Sequence, residues 1–179
     1  MVVQNTFNLV LCRLQAVSFQ RDWDYQASFL RQLARRIPGM MQGSSLLTQE
    51  LPIVYFTDNS LAAPLNWIYA ADTFGRTMPY DIFYLDLRLG SLVPELEQGM
   101  KISHDYRLLS SEGSVDNAIV IYHQPPGCLR VLQPLYDAHY PQLPELIAAA
   151  LPFSNLNRIV AKPDMEASLP TYIYGTALD

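Results

Sequence analysis

Charge is scarce in this chain, and lysine scarcer still: charged residues make up 16% of the sequence, with only Lys101 and Lys162 beside ten arginines. The balance is acidic, with a formal charge of −5 and a pI near 5.1. That leaves no basic footprint for a phosphate backbone, and a nucleic-acid partner is not expected. Two cysteines, Cys12 and Cys128, are too few for a disulfide framework. Cys128 follows a turn glycine at the start of an apolar run and reads as a small, partly buried thiol. Long apolar runs are missing as well. The longest uncharged windows, Met1–Cys12 and Asn59–Ala71, fall short of the roughly 20 residues a bilayer needs. Met1–Cys12 also lacks the basic start and small-residue cleavage site of a secretory leader. No glycine-rich phosphate loop, G-x-S-x-G elbow, HExxH or CxxC spacing occurs, so none of these chemistries is signalled.

Hydrophobic residues, by contrast, fill 50% of the 179 positions. That excludes a disordered chain and suits one domain of ordinary size. The most telling stretch is Asn117–Gln133, NAIVIYHQPPGCLRVLQ. Two apolar, β-branched runs, Ala118–Tyr122 and Leu129–Leu132, flank a Pro-Pro-Gly bend, which reads as a hairpin. Both runs are apolar on both faces, so layers must cover them from both sides.

The remaining elements follow from periodicity. Thr6–Arg36 reads as helix, with Phe7, Val10, Leu14 and Val17 at spacings of three and four. A second stripe runs through Trp23, Ala27, Leu30, Ala34 and Ile37. The stripe changes phase near Phe19–Arg21, which predicts a bend or a break there. Residues 1–20 then form a helical N-terminal extension, unusually apolar for an exposed terminus. Asp22 and Asp24 before Arg31, Arg35 and Arg36 complement the helix dipole, and Pro38-Gly39 ends the helix. Ser45–Thr48 is a short strand candidate. Asp58-Asn59-Ser60 carries capping residues for a helix over Leu61–Ala71, with Pro64 in its first turn. Tyr80–Leu89 alternates as a half-buried strand. Leu92–Gln98 is a helical turn, Ile102–Leu109 a strand turning at Glu112-Gly113-Ser114 into Ala118–Gln124, Pro144–Leu151 a last helix, and Leu169–Tyr174 an edge strand. The expected fold is therefore α/β (α+β): a single domain over residues 1–179, with a mixed sheet that contains an antiparallel meander from Ile102 to Leu132, packed by the N-terminal helices.

Three constellations could carry chemistry. The expected meander sets His104 opposite His123, with Cys128 opening the next strand. Imidazoles and a thiolate are zinc ligands, although ordinary strand histidines fit the same pattern. His123 and Cys128 could alternatively make a nucleophilic pair in a small hydrolase. Eleven tyrosines and Trp67 suggest a sugar-stacking surface with Asp58, Asn59, Tyr69, Asp86 and Arg88 supplying polar contacts. The competing readings are that Trp67 is a core anchor, Asp58 a helix cap, and Asp86 a partner of Arg88 or solvent.

Four phrases have a further significance: Asp22-Trp23 followed by Gln26, Phe29, Gln32-Leu33 and Arg36-Ile37-Pro38; Asp58–Ala70, DNSLAAPLNWIYA; Gln124–Pro134, QPPGCLRVLQP; and Leu151–Leu156, LPFSNL. Together, over roughly Arg21 to Ile159, the chain resembles the soluble C-terminal tail of large multi-spanning bacterial membrane proteins that look glycosyltransferase-like. The resemblance implies an extracytoplasmic, membrane-associated, non-catalytic accessory or binding domain. It would hold a glycan, a lipid-linked sugar or a protein partner and would need no cofactor. No functional residue carries over, because none of the four phrases is catalytic. Two alternatives stand beside it: a stand-alone hydrolytic or metal-dependent (zinc) enzyme around His104, His123 and Cys128, which would be cytoplasmic, and a structural subunit that buries its apolar N-terminal helix against a partner.

Overall fold

The run Ala118–Tyr122 does form a strand with both faces covered: Ala118, Ile119, Val120 and Ile121 are all fully buried. The computed structural model describes residues 2–49, 61–73, 75–86, 96–106, 108–124, 127–140 and 143–161, with side chains of the first helix described from Gln15 onward. In chain order the main elements are α1 (Val2–Arg36), β1 (Ser45–Thr48), α2 (Ala62–Tyr69), β2 (Thr77–Met78), β3 (Asp81–Tyr84), β4 (Lys101–Tyr106), β5 (Leu109–Ser114), β6 (Ala118–Tyr122), β7 (Arg130–Val131), α3 (Pro134–Asp137) and α4 (Glu145–Ala150). Short 3-10 turns cover Val115–Asn117, Leu151–Phe153 and Leu156–Arg158.

The central sheet has the order β3-β1-β6-β7. β1 pairs in parallel with β3 on one side and β6 on the other, and β7 closes the edge antiparallel to β6. Alternation along the strands separates two cores. Leu46, Ile82, Tyr84, Ile119 and Ile121 face α1 and α2. Leu47, Phe83, Val120 and Ala118 face the other way, against Ile102, Val115, Leu146, Ile147 and Ala150. The second face is covered jointly by α4 and by a separate three-stranded sheet, β2-β5-β4. The fold is thus a helix layer, a mixed sheet and a composite outer layer, an α+β arrangement as the sequence predicts.

Side-chain bonds to the backbone fix the helix layer. Asn66 on α2 donates to Ala62 O (2.7 Å) and Tyr80 O (2.8 Å) and accepts from Tyr80 N (3.1 Å), which joins α2 to the start of β3. Tyr69 and Tyr80 donate their hydroxyls to Ile37 O and Met40 O at the end of α1. Gln32 Oε1 accepts from Leu129 N (2.7 Å), tying α1 to the hairpin.

Several sequence expectations need correction. α1 is unbroken from Val2 to Arg36, and among its described side chains the buried ones begin at Asp22. The N-cap of α2 is Leu61, without a side-chain cap bond; Asp58, Asn59 and Ser60 lie outside the described residues, as do Arg88, most of Leu92–Gln98 and Leu169–Tyr174. β3 ends at Tyr84 and is buried on both faces, because parallel pairing places it between two layers. The β6–β7 hairpin is present, with Ile121 opposite Val131 and Tyr122 opposite Arg130. The three-strand meander is not. β4 pairs antiparallel with β5, Tyr106 opposite Leu109, and His104 pairs with Ser111 rather than His123. Glu112-Gly113-Ser114 is strand, not turn. The polar composition of Leu109–Ser114 hid a strand whose role is to cover a polar row of the main sheet.

Candidate functional site

An open groove of about 740 Å³ lies where β6, the start of α3 and the segment after α4 converge. Its floor follows from unfinished pairing in the sheet. β7 is only two residues long, so the upper part of β6 needs another partner. Ser154 supplies it: its hydroxyl accepts from Val120 N (3.1 Å) and donates to Leu132 O (2.6 Å). Asn155 continues the ladder, with its N–H donating to Ala118 O (2.8 Å) and its amide donating to Asp116 O (3.1 Å). Asp116 in turn accepts from Gly99 N (2.9 Å), which draws Gln98 to the rim. Pro134 opens α3 in a helix's first turn, where its missing N–H costs nothing.

Around this floor stand the side-chain amides of Gln98, Gln133 and Asn157, which make no hydrogen bond to other described residues, and the apolar surfaces of Pro134, Leu135, Pro152 and Phe153. Leu135 is 82% exposed. Among the groove's residues only Asp116 can ionise, and one of its oxygens is held by Gly99. A two-carboxylate hydrolytic centre has no second member here.

The residues singled out from the sequence are distributed elsewhere. Trp67 is not a core anchor but an exposed residue of α2, at 69%. Tyr69 is a packing residue: its ring meets Tyr80 edge-on at 5.9 Å, and burial drives its hydroxyl pKa well up, with Tyr80 adding to the effect. Asp86, half-buried beyond β3, donates its N–H to Gln49 O. None of the three lines the groove, and Asp58, Asn59 and Arg88 fall outside the described residues.

The metal constellation is not assembled. His104 belongs to the outer sheet, whereas His123 follows β6 and packs edge-on against Phe29 of α1 at 5.5 Å. Cys128 is exposed rather than partly buried. Among the described residues no group of three His, Cys, Asp or Glu side chains could hold a metal ion. Burial lowers the pKa of His123, a shift that a backbone hydrogen bond at Gly127 partly opposes.

His104 has a different partner. Its Nδ1 lies 2.7 Å from Asp81 Oδ2, though off the line of an aligned hydrogen bond, and its ring stacks on Phe83 at 5.6 Å. A carboxylate beside Nδ1 orients imidazoles in many active sites. Here, however, Asp81 is 1% and His104 6% exposed, and neither lines the groove beside α3. The pair belongs to a polar seam between the two sheets. Asp81, Ser45 and Ala118 stand in register across the main sheet, and Ser111 and Gly113 of β5 cover them. Gly113 comes so close to Ser45 that no side chain fits between. The seam is structural.

The sequence signal for the groove lay in two phrases already noted for a different reason, Gln124–Pro134 and Leu151–Leu156; their ends, Gln133-Pro134 and Pro152–Leu156, meet there. Fold and site together define a layered α+β domain with an open polar-and-apolar groove. Compared with known protein families, curated proteins and solved structures, the chain matches none.

Proposed function

We propose that this chain is a non-catalytic binding domain and that its ligand is a carbohydrate seated in the groove beside α3. One observation supports this above the others: amides free to donate and accept, on Gln98, Gln133 and Asn157, surround the apolar faces of Phe153, Pro134 and Pro152. A sugar ring presents the complementary pair of surfaces, hydroxyls at its edge and C–H groups on its faces. The lone, partly committed Asp116 supports binding without turnover. The reading agrees with the resemblance to the extracytoplasmic tail of a glycosyltransferase-like membrane protein, where such a domain would hold an acceptor glycan or a lipid-linked sugar.

Binding to a panel of immobilised oligosaccharides, followed by titration calorimetry on any hit, tests it. Asn157→Ala and Gln133→Ala each remove hydrogen bonds from the rim only. Each should weaken binding roughly three- to tenfold, the equivalent of a bond or two, with the unfolding midpoint unchanged. A panel that yields no ligand, or a ligand indifferent to both substitutions, refutes the reading.

A further inference from the structure

A second groove, of about 590 Å³, lies on the outer sheet and meets the first at Asp116, which lines both. The chain passes from one groove to the other twice at this point: Gln98 lines the first and Gly99 the second, Val115 the first and Asn117 the second. The divide between them is a low saddle. Gly99 donates its N–H to Asp116 Oδ1 at 2.9 Å, and Asp116 donates its N–H to Ser114 Oγ at 3.3 Å. Gly99 has φ 78°, a left-handed conformation that favours glycine, so no side chain rises from that side of the saddle. Asp116 itself is exposed, and its Oδ2 makes no hydrogen bond to another described residue. The two grooves differ in chemistry. The first offers Pro134, Pro152 and Phe153 to the faces of a sugar ring. The second is polar, because its floor is the outward row of β4 and β5, with Lys101 opposite Ser114 and Ser103 opposite Glu112. Lys101 and Glu112 are exposed, stand diagonal to each other in the ladder, and make no ion pair among the described residues. An anionic ligand would meet Glu112 and Asp116, and a cationic one Lys101. A neutral polyol can use all three, since hydroxyls make shorter and stronger hydrogen bonds to charged groups than to neutral ones.

We propose that the two grooves form one cleft and that its ligand is a neutral oligosaccharide long enough to cross Asp116, with a ring against Phe153 at one end and hydroxyls held by Lys101 and Glu112 at the other. The inference rests on the carbohydrate reading of the first groove and adds chain length and charge to it. Titration calorimetry and backbone-amide NMR test it, with series from monomer to hexamer of β-1,4-linked glucose, α-1,4-linked glucose and β-1,4-linked N-acetylglucosamine. The expected result is an affinity that climbs with chain length, and one hexamer per protein. The hexamer should shift the amide signals of Lys101, Ser103 and Asn117 as well as those of Gln133 and Asn157, and the dimer only the last two. Lys101→Ala and Glu112→Gln, both on exposed side chains, should each weaken the hexamer roughly three- to tenfold and leave the dimer unchanged, whereas Asn157→Ala weakens both ligands. A dimer that binds as tightly as the hexamer, or a hexamer indifferent to both Lys101→Ala and Glu112→Gln, overturns the long cleft and leaves the first groove's reading in place. Two hexamers bound per protein would do the same, since the grooves would then be separate sites. A hexamer of galacturonic acid that outbinds every neutral one overturns the assignment of charge. Absence of binding in every series removes the carbohydrate reading and this inference with it.

Discussion

Replacing His104 with alanine should destabilise this protein more than a surface map of its charges would suggest. His104 and Asp81 have side chains 5% and 1% exposed and approach to 2.7 Å. Their neighbours across the seam, Ser45 and Ser111, are buried too, and Asp81 Oδ1, Ser45 Oγ and Ser111 Oγ have no hydrogen-bond partner among the described residues. Truncating His104 removes the closest polar group to the carboxylate and leaves Asp81 sealed beneath β4 and β5. Leaving a buried polar group without its polar neighbour costs about 1–3 kcal/mol. A domain of this size has about 5–15 kcal/mol in hand. With a urea slope of about 2 kcal/mol per molar, the midpoint should fall by roughly 1 M. The assay is equilibrium urea unfolding followed by far-ultraviolet circular dichroism on four proteins: the parent, His104→Ala, Asp81→Ala and the double variant. Removing both groups leaves neither polar partner stranded, so the double variant should cost less than the sum of the singles by about 1–2 kcal/mol. Costs that simply add, or a His104→Ala midpoint close to the parent's, would show that the two groups do not depend on each other and that the seam is not held in this way.

Two further outcomes follow from the same geometry. Gly113→Ala drives a methyl group into Ser45 Oγ and should cost about 1–3 kcal/mol as an overpacked contact. Ser45→Ala, which leaves only a Cβ at 3.5 Å, should restore most of that in the double variant, and a Gly113→Ala protein of parental stability would contradict the close approach. Stability should also decline on the acid side of pH 6.5, the ordinary value for histidine, because burial lowers the pKa of His123 in the folded chain. The unfolded chain then binds the proton more tightly, so the contribution of His123 is complete above 6.5 and is lost as pH falls through the depressed folded value. His123→Gln should flatten that part of a plot of urea midpoint against pH, and an unchanged acid limb would assign the effect to other groups.

The local patterns that proved legible were those in which a residue's partner lies close in sequence. The hairpin at Gln124–Gly127, the helix over Ala62–Tyr69 and the helix at Glu145–Ala150 are all encoded within about a dozen residues, by turn chemistry or by apolar spacing. The apolar character of Ala118–Tyr122 required cover on both faces, and two cores provide it. Trp67 and Cys128 could not be placed in this way: their residue types favour burial, and only the path of the neighbouring elements leaves them at the surface. Tyr69 looked like a ligand contact because tyrosine suits sugars, but its hydroxyl donates to Ile37 O at the end of α1.

By itself, the sequence determined the class of fold, the end of α1 before Pro38-Gly39, the hairpin and the need for layers on both sides of the sheet, because periodicity and turn residues act over short separations. Only the tertiary structure decided that β4 folds back on β5 instead of meeting β6, that His104 therefore faces Asp81 and not His123, and that residues 98, 116, 133 and 152–157 share a groove. Strand partners compete across long separations, and the choice rests on which pairing covers the polar row of Ser45 and Asp81. No single segment carries that information.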